Sequence, residues 1–153
     1  MKAESLLFVC HGNICRSPMA EMMAKEKFRD MNIEIASVAT SREEIGNDIY
    51  PPAKRCLQKH GIHFEHRAAR QIIRQDYEHY DRIFVMDENN IHYLRYLFPD
   101  IMLPSPINNY HDKNNKIRLL MSLTGKERDV ADPWYTGDFE STYKDIEAAL
   151  EHL

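Results

Sequence analysis

Short apolar runs and longer amphipathic stretches alternate along this chain. Residues 6–10, 33–38, 82–86 and 116–121 are rich in β-branched and aliphatic side chains, and each predicts a strand. The stretches between them have helical length and spacing. Residues 18–31 open on Pro18 behind Ser17, a residue suited to the N-cap, and place Ala20, Met23, Ala24 and Phe28 on one face. Residues 51–60 begin with proline and stop at Gly61, residues 88–97 run up to Pro99, and residues 139–153 predict a last helix. Strands alternating with helices imply right-handed βαβ crossovers, and therefore an α/β fold with a doubly wound parallel sheet and helices on both faces. Ligands of such sheets bind at the carboxyl ends of the strands, where Cys10 falls. Stretches 40–48 and 104–115 break both periods and predict surface loops.

Composition narrows the class. With 153 residues, the expected organisation is one domain over residues 1–153, long enough to bury a core. Hydrophobic residues make up 43% and charged residues 29%, and 20 basic against 24 acidic side chains leave a formal charge of -4, which argues against nucleic acid as a partner. Met1-Lys2-Ala3-Glu4-Ser5 is too polar to open a signal peptide, and no run is long enough to span a bilayer, so no membrane partner is expected. Three cysteines do not make a disulfide framework, and a reducing cytoplasm is the expected location. Nothing in the pattern specifies an oligomer.

The chemistry concentrates in Cys10-His11-Gly12-Asn13-Ile14-Cys15-Arg16-Ser17, a cysteine and an arginine bracketing a five-residue loop between a strand and a helix. Backbone N–H groups of such a turn, with the following helix N-terminus, make a cradle for a tetrahedral oxyanion, and Arg16 adds a bidentate fork. The same surroundings favour the thiolate of Cys10, a ready nucleophile. Ser17 can donate its hydroxyl to the sulfur or cap the helix. Cys15 either packs beneath the turn or pairs with Cys10 under oxidation. Hydrolysis of a phosphate ester also needs an acid and then a base, for which Asp132 in Asp132-Pro133-Trp134-Tyr135 is the candidate, with the two aromatics as a wall for an aryl group. Asp87 and Glu88 end a strand, where they could face the edge of the same pocket but better suit a helix cap. His60, His63 and His66 recur every third residue, yet no fourth ligand or cysteine partner is evident nearby, so neither a metal nor another cofactor is expected.

The run Val9-Cys10-His11-Gly12-Asn13-Ile14-Cys15-Arg16-Ser17-Pro18-Met19-Ala20-Glu21, with Asp132-Pro133-Trp134-Tyr135, resembles the low-molecular-weight protein tyrosine phosphatases. The likeness continues in order through Gly46-Asn47, His60-Gly61-Ile62, Ala69-Arg70-Gln71-Ile72, Tyr80-Asp81-Arg82-Ile83 and Met86-Asp87. The resemblance implies a sheet of about four parallel strands in the order 2-1-3-4. It also implies a metal-free, two-step reaction. Cys10 attacks phosphorus, Arg16 and the loop amides hold the equatorial oxygens, and Asp132 protonates the leaving phenolate and then activates water. By the same likeness, Asn13 braces the loop through Ser37, Ser17 and His66. The implied partners are phosphotyrosine-containing proteins or small aryl phosphates, with phosphate and other oxyanions as inhibitors.

Several positions bear on specificity. Family members acting on phosphoarginine carry a threonine where this chain has Ile14, so the resemblance points to aryl phosphate. His11 replaces an apolar residue after the nucleophile and, if protonated, would add positive charge near the thiolate, while Glu43 stands where relatives often put an aromatic wall, so an acidic group would face the entrance and select basic or less anionic substrates. One extra alanine lies within His66-Arg67-Ala68-Ala69-Arg70, and the 104–115 loop is longer than usual. Two competing readings remain: arsenate reduction by a cysteine relay, for which Cys56 is the one thiol beyond the loop, and non-catalytic phosphopeptide binding, which would have no use for Asp132.

Overall fold

The computed structural model describes residues 4–104 and 111–153, so the predicted loop at 104–115 lies partly outside the described residues, as does the start of the chain. The chain runs β1 (Glu4–Cys10), α1 (Arg16–Lys27), β2 (Ile33–Ala39), α2 (Pro51–Lys59), α3 (Arg74–His79), β3 (Arg82–Val85), α4 (Glu88–Leu97), β4 (Met102–Leu103), β5 (His111–Asp112), β6 (Ile117–Leu119), a 3-10 turn (Leu120–Thr124), α5 (Pro133–Thr136) and α6 (Phe139–Leu150).

Four strands form a parallel sheet in the order β2-β1-β3-β6, and β4 pairs antiparallel with β5 in a separate hairpin. The order matches the expected 2-1-3-4, counting β6 as the fourth strand of the sheet. Because β1 has β2 on one side and β3 on the other, the winding reverses at its carboxyl end, where Cys10 pairs in register with Ala39. Successive side chains of β1 alternate between two cores, as the pleat requires. Leu6, Phe8 and Cys10 pack with Met19 and Met23 of α1, Leu57 of α2 and Ile146 of α6. Leu7 and Val9 pack with Tyr77 of α3 and with Ile91 and Leu94 of α4 on the opposite face. Phe8 is fully buried, and truncating such a ring to alanine costs about 3–5 kcal/mol. The strand that presents Cys10 is thus clamped on both faces.

Several boundaries differ from the pattern-based expectation. Helix α1 starts at Arg16, so Cys15 holds the N-cap position without a capping side chain and Ser17, expected as the cap, sits inside the first turn. Its hydroxyl is turned back toward the loop instead. The fourth sheet strand ends at Leu119 because Ser122 Oγ donates to the Leu119 carbonyl at 2.6 Å and the chain tightens into the 3-10 turn. Helices α3 and α5 were not anticipated. The first is nucleated by Asp76, whose carboxylate accepts from the Ile73 N–H at 2.8 Å, and the second by Asp132, which accepts from the Trp134 N–H at 3.0 Å.

Candidate active site

Residues 11–15 carry the chain from the end of β1 into α1. Asn13 stands in the left-handed region at φ 58°, a conformation asparagine tolerates better than most residues. At Gly12, an added β-carbon would meet Cγ of Glu44 at 3.3 Å, so the loop backbone approaches that side chain closely. With no side chain capping α1, the Ser17 N–H points at Cys10 Sγ, 3.4 Å away, and Ser17 Oγ lies 3.0 Å from the same sulfur. Ser17 Oγ accepts from Asn13 Nδ2 at 2.8 Å, and its own proton faces the sulfur at 3.0 Å and, farther off, the Val38 carbonyl at 3.4 Å.

Asn13 is the hub of a buried polar chain. Its Nδ2 also donates to Ser37 Oγ at 2.9 Å, and Ser37 donates to Glu21 Oε1 at 2.5 Å, while Lys25 holds the other Glu21 oxygen at 2.7 Å. The expected third brace, His66, is elsewhere. Its ring bonds Asp48 at 3.0 Å and is mostly exposed. Arg67 takes the place instead, with Nη2 donating to the Asn13 carbonyl at 2.7 Å and to Asn13 Oδ1. Burial works against the charge of Arg67 and holds its pKa below the ordinary value.

Arg16 is buried, yet its guanidinium stays firmly charged. Burial opposes the charge, but Cys10, Asp87 and Asp132 outweigh it and raise its pKa. Nη1 donates to Asp87 Oδ2 at 2.6 Å and to the Val130 carbonyl at 2.9 Å, and Nη2 reaches Asp132 Oδ2 at 3.4 Å. Asp87 does two jobs: its other oxygen caps α4 by accepting from the Asn90 N–H at 2.8 Å. Cys15 packs against Ile14 and Ala69, and burial, then the charges of Cys10 and Asp132, push its thiol far above the usual range, so it stays protonated.

Cys10, His11, Gly12, Ile14, Cys15, Arg16, Glu43, Glu44, Asp132, Trp134 and Tyr135 line a cleft of about 130 Å³. A cavity of about 150 Å³ admits a benzene ring, so this one suits a single aryl group above the loop. Trp134 lies 4.8 Å from the ring of Tyr50, which precedes α2, and Phe139 lies 6.1 Å beyond it. At the mouth, His11 Nε2 bonds Glu43 Oε2 at 2.9 Å, and both side chains are exposed. The sequence alone did not bring out Arg67, Glu21, Glu44 or Tyr50, and for Asp87 it favoured the capping role over a place at the pocket edge, where the bond to Arg16 also puts it. The three histidines diverge: His60 bonds Glu140, His66 bonds Asp48, and His63 lies 3.9 Å from Glu65.

Known proteins are similar to this chain in sequence and fold. The sequence model of the low molecular weight phosphotyrosine protein phosphatase family matches residues 5–153. A rat protein named low molecular weight phosphotyrosine protein phosphatase is 40% identical over 149 residues, covering 93% of this chain and 88% of its own. The crystal structure of YfkJ from Bacillus subtilis superposes with a TM-score of 0.86 at 32% identity, covering 99% of this chain and 92% of that one. A Drosophila protein described as an arginine phosphatase has a TM-score of 0.80 at 28% identity, covering 96% of this chain and 93% of its own.

Proposed function

Since this chain belongs to the low molecular weight phosphotyrosine protein phosphatase family, we propose that it hydrolyses phosphotyrosine or related aryl phosphate monoesters through a cysteinyl-phosphate intermediate. The observation that carries this reading is the convergence of Asp132, from a segment far along the chain, on the cleft that the Cys10–Arg16 loop lines.

In the first step Cys10 Sγ attacks phosphorus in line with the phenolic oxygen. The loop amides at residues 11–16 and the Arg16 guanidinium hold the three equatorial oxygens, a preorganised charge that needs no rearrangement as the transition state forms. Asp132 gives its proton to the departing phenolate. In the second step the same carboxylate takes a proton from water, which attacks the cysteinyl-phosphate, and phosphate and the free sulfur are released. Ser17 donates to the sulfur in the resting site and again as it departs. Asn13, Ser37 and Arg67 hold the loop in shape.

Ile14, Trp134 and Tyr135 shape the aryl slot, and Ile14, in place of threonine, favours aryl phosphate over phosphoarginine. Glu43 at the mouth favours basic flanks on a phosphotyrosine protein. Free phosphate and other oxyanions compete for the loop. No helix among the described residues is long and apolar enough to cross a membrane, in keeping with work in the cytoplasm. The reading is tested by turnover of phenyl phosphate, a phosphotyrosine peptide and phosphoarginine by the parent chain and by Cys10→Ser. Aryl turnover that vanishes in the variant is expected, with phosphoarginine far slower. Turnover favouring phosphoarginine overturns the substrate assignment.

A further inference from the structure

Outside the cleft, α2 and α6 bring three metal-ligating side chains of different kinds together. Cys56 and His60 sit four residues apart on one face of α2, and Glu140 comes from the first turn of α6. One ligand atom from each lies within 4.8 Å of the other two. We propose that Cys56, His60 and Glu140 form a binding site for a borderline-soft divalent cation, zinc(II) by its chemistry.

Thiolate and imidazole select zinc over magnesium or calcium, which take oxygen ligands, and three protein ligands leave a fourth position for water. The spacing is close to what zinc requires. With zinc–sulfur near 2.3 Å and zinc–oxygen and zinc–nitrogen near 2.0 Å, a tetrahedral site separates sulfur from oxygen by about 3.5 Å and nitrogen from oxygen by about 3.3 Å. Cys56 Sγ stands 3.6 Å from Glu140 Oε1 and His60 Nε2 stands 2.8 Å from the other oxygen, Oε2, so the carboxylate already bridges the two ligands and must turn one oxygen toward the ion as the His60 pair opens. The His60 ring is fixed by stacking on Tyr143 at 3.8 Å and 8°, which orients its nitrogen. Cys56 is buried while His60 and Glu140 reach solvent, so the site is closed on the sulfur side and open where water would enter.

Charge also fits. Thiolate and carboxylate neutralise the dication, and Lys59 Nζ, 3.5 Å from Glu140, is the adjacent cation that opposes binding. As the Sγ–metal bond forms, the thiol proton leaves to solvent. Because that proton must leave, occupancy falls as pH drops. A bound ion ties α2 to α6, at whose leading ends the rings of Tyr50 and Phe139 lie 6.1 Å apart. The histidine run by itself predicted no metal. The site uses only His60 of that run and draws its third ligand from Glu140, far along the chain.

The test uses cobalt(II), whose thiolate absorption and tetrahedral visible bands report the ligand set, added to the full chain carrying Cys10→Ser so that the cleft thiol is absent. One cobalt per chain with a thiolate band, displaced by zinc, is expected. Adding Cys56→Ala, His60→Ala or Glu140→Gln should remove the band or weaken binding at least about a hundredfold, while adding Cys15→Ala leaves it intact. Far-ultraviolet circular dichroism without metal checks that each variant is folded, and Glu140→Gln preserves packing if the others do not. A missing thiolate band, or one that survives Cys56→Ala or Glu140→Gln in a folded chain, overturns the site and leaves His60–Glu140 an ion pair alone.

Discussion

Arg67 Nη2 donates to both the carbonyl oxygen and the side-chain Oδ1 of Asn13, the one loop residue held at positive φ. A charged donor to buried oxygens contributes about 1.5–3 kcal/mol, and here it restrains the turn that aims the loop amides. Arg67→Met is therefore expected to lower the unfolding free energy in urea by that amount. It should also reduce kcat on phenyl phosphate roughly tenfold to a hundredfold with a smaller change in KM, because orientation is lost rather than binding. Arg67→Lys should recover part of kcat. A stability loss with kcat unchanged would limit Arg67 to a structural role.

Asp87 holds Arg16 at 2.6 Å and caps α4 with its other oxygen. Asp87→Asn keeps a capping oxygen but removes the charge opposite a buried guanidinium, at a cost of about 1–3 kcal/mol. Phosphate then supplies the missing counter-charge, so it should raise the melting temperature of the variant more than that of the parent. Equal phosphate gains in thermal denaturation would contradict the coupling.

These two residues also mark how far the sequence could be read. The Cys10–Arg16 loop was legible because its chemistry is contiguous and a strand and a helix flank it. The alternation of Leu6, Phe8 and Cys10 against Leu7 and Val9 fixed both faces of the sheet in the same way. Arg67 was not legible, because it meets Asn13 across 54 positions and periodicity carries no signal in extended loops. Asp87 was legible as a cap, a local property, but not as the partner of Arg16, 71 positions away. Helices α3 and α5, at six and four residues, are too short for a 3.6-residue period to show.

Asp132 accepts from the Trp134 N–H with one oxygen and faces Arg16 with the other. As general acid it matters most when the leaving oxygen is basic. Asp132→Ala should lower kcat by ~10²–10⁴ on phenyl phosphate and clearly less on p-nitrophenyl phosphate. Equal losses on both esters would remove the proton from its assigned role.

Glu43 and His11 form an exposed pair at the mouth. Glu43→Lys is expected to reverse a preference for phosphotyrosine peptides with basic flanks, read as kcat/KM against acidic-flanked peptides. The effect should shrink as salt rises, since exposed charges are screened. A preference untouched by the substitution would show that flanking charge is not read there.

Cys10 carries the central claim, and the most direct measurement is mass spectrometry of the chain quenched in acid during turnover of p-nitrophenyl phosphate. The account predicts a phosphate adduct on the peptide bearing Cys10, absent from Cys10→Ser, which should turn over no substrate. An adduct on another residue, or undiminished turnover by Cys10→Ser, would contradict it.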